Sequence, residues 1–448
     1  MKETNLIQSM TNIKKIRLFN NSLLYGNPKV YLDFSRIDFF CFNDTLFLFI
    51  PENLCIIKTE YKNKTDLLED IVNGITPKDS LYSQIMIGLV PAIGSNTINV
   101  TQKSITRKKG ISIVVTTKCN MNCEYCIYKN NSKYSNSDKN FSEKIFNSIC
   151  ECIDYWENEK DVTFIFSGGE PFLDFCMMKQ LTIKICEICA EKKIKANFGV
   201  TTNGTILNQE IIDFLIKYNF LVSISLDGTE DHYIRINQFK FFDLITKNIK
   251  KLKQNHINYS IKSTVSYNIN NEEMHLMLDY ICSLSPYKLT ITPDIFREVP
   301  SSFLDVCNNY SPKNDTIYKP IIKDMIDNIY NFRYVDHVCS SSDSFVGINE
   351  KGQFLPCLFF NGIEEKYFKT YEELRTFGNL TTTNLNVTNY YLQKCSKCSI
   401  RLLCGGLCSY VKYQLSKYKI DKNAVDSFCE YKYSSFVSAL KYICETGN

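Results

Sequence analysis

The sequence predicts an α/β fold: a partial (β/α)6 TIM-type barrel, with a small α+β domain before it and a cysteine-rich domain after it. Three observations carry this. Strand-like and helix-like segments alternate from residue 111 onward, short β-branched and aromatic runs precede them, and many of the 20 cysteines fall into two spaced sets. With 448 residues and 44% apolar content, the chain can bury an ordinary core and is long enough for two or three domains. The expected divisions are a small α+β domain over 1–93, a linker over 94–110, the barrel over 111–335 and the cysteine-rich domain over 336–448.

At the start of the chain, residues 29–34, 38–42 and 45–50 read as strands, separated by the turn residues Gly26-Asn27-Pro28 and Asn43-Asp44. Helices are expected near 64–72 and 79–89. Barrel strands are predicted at 111–116, 162–166, 197–201, 221–226, 259–265 and 288–292. Amphipathic stretches lie between them; Ile145, Phe146, Ile149, Ile153 and Trp156 recur at helical spacing. Such repetition implies a parallel sheet covered by helices, barrel-like or doubly wound, and six units fall short of a full eight-unit barrel. A helix over 317–332 then leads into a stretch where periodicity fades.

Charge and hydropathy exclude some functions. Basic residues number 52 and acidic ones 48, without the positive excess that phosphate backbones demand, so nucleic acid is not an expected partner. Residues 1–15 lack a continuous apolar core, and no stretch approaches the roughly 20 apolar residues of a membrane span. The expectation is a cytoplasmic protein without membrane contact, whose cysteines are reduced thiols or metal ligands. Cysteines outside the two sets, such as Cys41, Cys152, Cys186 and Cys282, lie in apolar or helical patterns and read as small buried hydrophobes.

The first set, Cys119-Asn-Met-Asn-Cys123-Glu-Tyr-Cys126, directly follows the first barrel strand, at the strand end where barrel enzymes place their chemistry. Three close thiolates can hold three irons of a cubane and leave the fourth iron open. A zinc site would need a fourth ligand, and none follows locally. The spacing, with an aromatic before the last cysteine, resembles the radical S-adenosylmethionine (SAM) superfamily, whose open iron is chelated by SAM. The second strand runs into Ser167-Gly168-Gly169-Glu170-Pro171, similar to that family's Gly-Gly-Glu-Pro motif. The glycines let backbone approach the methionine moiety, and a carboxylate can accept from its ammonium. The third strand ends in Thr201-Thr202-Asn203-Gly204, and the fourth reads Ser223-Ile-Ser225-Leu-Asp227-Gly228, with Arg235 beyond. The resemblance places Ser225 near the ribose and pairs Arg235 with the SAM carboxylate; Tyr125, Gly168, Gly169, Glu170, Asn203 and Asp227 complete the expected cofactor contacts.

In the second set, Cys339 and Cys357 frame Gly352, and Cys395, Cys398, Cys404 and Cys408 are followed by Cys429. Paired spacings alone would also suit a zinc ribbon, but joined to the upstream set they favour iron–sulfur chemistry. This order resembles the SPASM domain of peptide-modifying radical SAM enzymes. The resemblance implies an outer cluster on Cys395, Cys398, Cys404 and Cys429, and an inner one on Cys339, Cys357 and Cys408, its fourth ligand being Asp343, another side chain or a substrate thiolate. Three [4Fe–4S] clusters and SAM are thus the expected cofactors.

What the resemblance implies for function is an oxidoreductase that cleaves SAM reductively to a 5′-deoxyadenosyl radical and takes a hydrogen atom from a peptide. Its electron donor would be of flavodoxin or ferredoxin type. Two substrate classes compete. Anaerobic sulfatase-maturing enzymes carry an aspartate base directly after the cysteine matching Cys357; here that residue is Leu358, which cannot take a proton. Maturation of a precursor peptide, by thioether or other crosslinking, is therefore favoured, with the N-terminal domain available to grip a leader by strand addition. A cysteine-rich metal-binding module without catalysis is the alternative of another class, and no catalytic residue is assigned.

Overall fold

The computed structural model describes residues 16–17, 31–32, 38–42, 45–50, 55–58, 108–123, 126–128, 141–230, 239–265, 269–294, 298–308, 322–323, 325–329, 344–376, 394–395, 398–417 and 422–446. Helices expected at 64–72 and 79–89 lie outside them, as do Tyr125, Arg235, Cys339 and Asp343. Residues 325–329 are helical, within the helix expected over 317–332.

Near the N-terminus, β1 (Ile16–Arg17) pairs antiparallel with β2 (Tyr31–Leu32). A separate antiparallel meander joins β3 (Asp38–Phe42), β4 (Thr45–Ile50) and β5 (Cys55–Lys58). The first two strands of the meander coincide with the sequence-based expectation; the third was not foreseen, because Cys-Ile-Ile-Lys is too short to declare a period.

The central layer is one eight-stranded sheet. Its parallel part is β6 (Lys109–Thr116), β7 (Asp161–Gly168), β8 (Lys195–Thr202), β9 (Leu221–Ser225), β10 (Tyr259–Val265) and β11 (Lys288–Pro293), in that spatial order. Covering helices are α1 (Phe141–Tyr155), α2 (Phe175–Glu191), α3 (Gln209–Lys217), α4 (Phe242–Gln254), α5 (Asn271–Ser283) and α6 (Ser301–Asn308). This is a mostly parallel α/β sheet, a partial barrel of six βα units.

Buried strands carry the core. Ile111, Ile113, Val162, Phe164 and Phe166 have no exposed surface. Phe198 stacks on Phe220 at 5.2 Å between centroids and continues to Phe164 at 5.9 Å, so aromatic rings bind three adjacent strand regions together. Helix starts are fixed by side chains: Asn208 accepts from the Ile211 amide and Asn270 forms a reciprocal capping box with Glu273. The exits share one device. Lys193, Asn219, His256 and Ser285 all take positive φ, between 49° and 58°, just past α2, α3, α4 and α5. Each such left-handed residue turns the chain back into the next strand.

The sheet does not stop at the sixth unit. A hairpin of β12 (Phe345–Ile348) and β13 (Phe354–Leu355) extends it, β12 running parallel to β6 with Phe345 opposite Gly110 and Ile348 opposite Ile113. The Ser148 hydroxyl on α1 donates to the Gly352 carbonyl in the hairpin turn at 2.6 Å. Trp156 Nε1 donates to Tyr371 Oη at 3.0 Å, and the Tyr371 amide donates to Glu151 at 2.7 Å. Beyond lie α7 (Arg401–Cys404), α8 (Ser409–Ser416) and the long α9 (Lys422–Thr446), which packs along α6 through Phe303 and Tyr431. Among the described residues, no helix is long and apolar enough to cross a membrane.

Candidate active site

Parallel strands aim their C-terminal ends at one face of the sheet, and the loops there hold the chemistry-bearing residues. The first cysteine loop leaves β6 at Thr116, and the end of β7 is laced to it: the Gly169 amide donates to Thr116 O at 2.7 Å and the Glu170 amide to Lys118 O at 2.9 Å. Glycine is required for this approach. Gly168 has φ of 129°, and a Cβ there would stand 2.2 Å from Thr116 O; at Gly169 it would stand 2.1 Å from Lys118 O. The two glycines thus bring the strand end flush against the cysteine loop.

Glu170 has no exposed surface. Its carboxylate accepts from Thr202 Oγ1 at 2.9 Å to each oxygen, from the Asn203 amide at 2.8 Å and from the Phe172 amide at 3.1 Å. Burial outweighs these donors and pushes its pKa up to about 7. The carboxylate expected to meet a ligand ammonium is therefore engaged by protein donors, and it pins the β8 exit. From there Asn203 Nδ2 reaches Asn120 Oδ1 at 2.9 Å and the Cys119 sulfur at 3.6 Å, while Asn120 Nδ2 donates to Thr205 Oγ1 at 2.8 Å. A continuous polar chain runs from Glu170 through Asn203 to Cys119. Thr202, Thr205 and Asn120 were not singled out in the sequence; their one signal was adjacency to motif residues.

At the next strand end, Ser225 closes β9 and Asp227 follows, 7% exposed. Asp227 Oδ1 accepts from the Thr264 amide at 2.9 Å, and burial pushes its pKa up to about 7.

Two more cysteine groupings occur beyond the barrel. Cys395, Cys398, Cys404 and Cys429 line one cavity, closed by Ile400, Leu407 and Phe428. Burial raises the Cys429 thiol to about 11, with the other three thiols adding to the rise and Lys394 opposing it. Cys357 and Cys408 both act electrostatically on the half-buried Tyr410. All of these cysteines are free thiols, and among the described residues no three or more His, Cys, Asp or Glu side chains are disposed as a formed metal site. The donor chemistry nonetheless suits soft iron–sulfur groups: the four thiols share their cavity with Lys394, Arg401 and Lys432 but with no His, Asp or Glu, and the glycine cradle keeps bulk away from the first loop.

Residues 113–281 match the Radical SAM superfamily, and the chain carries a radical SAM domain. That domain implies SAM and a [4Fe–4S] cluster, and with relatives that are a sulfatase maturase and a cyclopropyl synthase it marks the chain as an enzyme. Among its relatives, the cysteine-type anaerobic sulfatase-maturating enzyme of Clostridium novyi (strain NT) is 26% identical, covering 75% of this chain and 98% of that protein. The radical SAM cyclopropyl synthase TigE of Paramaledivibacter caminithermalis is 24% identical, covering 86% and 90%. The solved structure of native anSMEcpe with bound AdoMet and Cp18Cys peptide shares the fold, with a TM-score of 0.58, 17% identity and coverage of 76% of this chain and 99% of that one.

Proposed function

We propose that this enzyme modifies a ribosomally made precursor peptide, forming a thioether or another crosslink, with two auxiliary iron–sulfur clusters of SPASM type beside the SAM-binding one. The carrying observation is Leu358, which follows Cys357 where resemblance to the sulfatase-maturing enzymes would lead one to expect a proton-accepting aspartate. Support for the auxiliary clusters comes from the cavity lined by Cys395, Cys398, Cys404 and Cys429. Cys357 and Cys408, joined by Cys339, would hold the inner cluster.

SAM on its [4Fe–4S] cluster supplies, when bound, one-electron cleavage and hydrogen-atom abstraction. Cys119, Cys123 and Cys126 would hold that cluster. Gly168 and Gly169 keep the β7 end against the cysteine loop, and Glu170 holds Asn203 so that its amide faces Cys119. Ser225 would lie near the ribose, and Asp227, Tyr125 and Arg235 would complete the cofactor contacts. Residues 1–93 would grip the leader, and a flavodoxin or ferredoxin would deliver electrons.

A second reading, formylglycine formation on a sulfatase, is favoured by the Clostridium novyi relative's coverage of nearly its whole length. The test is to incubate the reconstituted enzyme, SAM and reductant with a candidate precursor peptide and, separately, with a sulfatase-derived Cys or Ser peptide, and to read mass changes. Modification of the precursor supports the proposal; formylglycine on the sulfatase peptide with an unchanged precursor overturns it.

A further inference from the structure

Tyr128 lies two residues beyond Cys126, is only 7% exposed, and its hydroxyl has no hydrogen-bond partner among the described residues. A buried donor left unmade costs about 1–3 kcal/mol, and native interiors leave few of them. The ionisable groups acting on this phenol are Cys126, Glu350, Cys357 and Tyr367, Cys126 most strongly. It therefore stands between the first cysteine loop and the end of the β12–β13 hairpin.

The oxygens on the hairpin side have other partners. Tyr367 Oη receives the Gly362 amide at 2.6 Å and donates to Asn361 Oδ1 at 3.2 Å. Glu350 Oε2 accepts from Asn361 Nδ2 at 3.3 Å. Of the four groups, the Cys126 sulfur is the strongest in effect and the nearest in sequence, two residues before the phenol.

We propose that Tyr128 donates a hydrogen bond to a sulfur of the cluster held by Cys119, Cys123 and Cys126, tuning that cluster's reduction potential. The inference rests on the cluster assignment made above. Hydrogen bonds to sulfur stabilise the reduced, more negative cluster and raise its potential. Tyr128 is a positioning and tuning residue in this account, without contact to the reacting atoms.

The test compares Tyr128→Phe with wild type in two states of the full chain. Phenylalanine keeps the ring and removes only the hydroxyl. In the cluster-free chain, Tyr128→Phe is expected to melt no lower than wild type, because no bond is lost. In the reconstituted enzyme, the iron–sulfur resonance that responds to added SAM is expected to change, and its midpoint potential to move more negative. Added to a Cys119→Ala, Cys123→Ala, Cys126→Ala background, Tyr128→Phe is expected to leave the potentials of the remaining clusters unchanged.

Lower melting of the cluster-free variant would show a hydroxyl already bonded within the protein and overturn the proposal. So would an unshifted potential, or a shift that persists in the triple-alanine background, which would place the bond on the Cys357 side. A wild-type chain that takes up no iron, or whose iron is untouched by the triple replacement, defeats the cluster assignment itself and the proposal with it.

Discussion

The buried Glu170 carboxylate receives three donor groups, so removing it strands more than a ligand contact. Glu170→Ala is expected to lower stability by roughly 3 kcal/mol, the order of cost for several stranded donors. SAM affinity should fall about tenfold through loss of the Asn203 anchor, equivalent to about 1.4 kcal/mol. Urea denaturation and equilibrium binding check the two effects separately. Glu170 and Asp227 also share a pH signature, both having folded pKa values near 7. A carboxyl whose folded pKa lies above its unfolded value of about 4 takes up a proton on folding. Its stabilising contribution is therefore complete below about pH 4 and is lost as pH rises through about 7. Asp227→Asn, which keeps an acceptor for the Thr264 amide, is expected to flatten the fall in urea midpoint between pH 5 and pH 8. In the sequence, the cysteines and the Gly-Gly-Glu-Pro run were legible because their chemistry is written in local spacing. Asn120 and Thr205 were not, because their bond spans 85 positions and nothing local announces it.

Element by element, the six barrel strands were legible from β-branched runs alternating with amphipathic stretches; β10 falls on the expected residues and the others differ by one or two at their ends. The β12–β13 hairpin was not, since Phe-Val-Gly-Ile and Phe-Leu are too short to show a period and their partner, β6, lies far upstream. The left-handed helix exits yield a prediction. His256 has φ of 54°, a conformation that costs L-residues strain and glycine none. His256→Gly is expected to raise stability by about 1 kcal/mol, read as a higher urea midpoint with an unchanged slope. Gly168→Ala is the converse. Its φ of 129° and the 2.2 Å approach to Thr116 O leave no room for a methyl, so melting temperature and retained iron should fall together.

For the molecule as a whole, the hairpin makes the barrel depend on residues beyond 335. Without β12, the edge of β6 and the faces now covered by Val346, Ile348 and Phe354 would be bare. A chain ended at residue 335 is accordingly expected to aggregate on expression, as read by size-exclusion chromatography. A soluble, cooperatively melting product would show instead that the six units suffice. That same pairing sets the order of events during synthesis. Gly110 meets Phe345 only after every intervening residue has left the ribosome. Non-local pairing of this kind is slow and comes late. The loop carrying Cys119, Cys123 and Cys126 therefore emerges on a nascent chain whose first barrel strand still lacks one neighbour, and that edge stays open until residues 345–348 arrive.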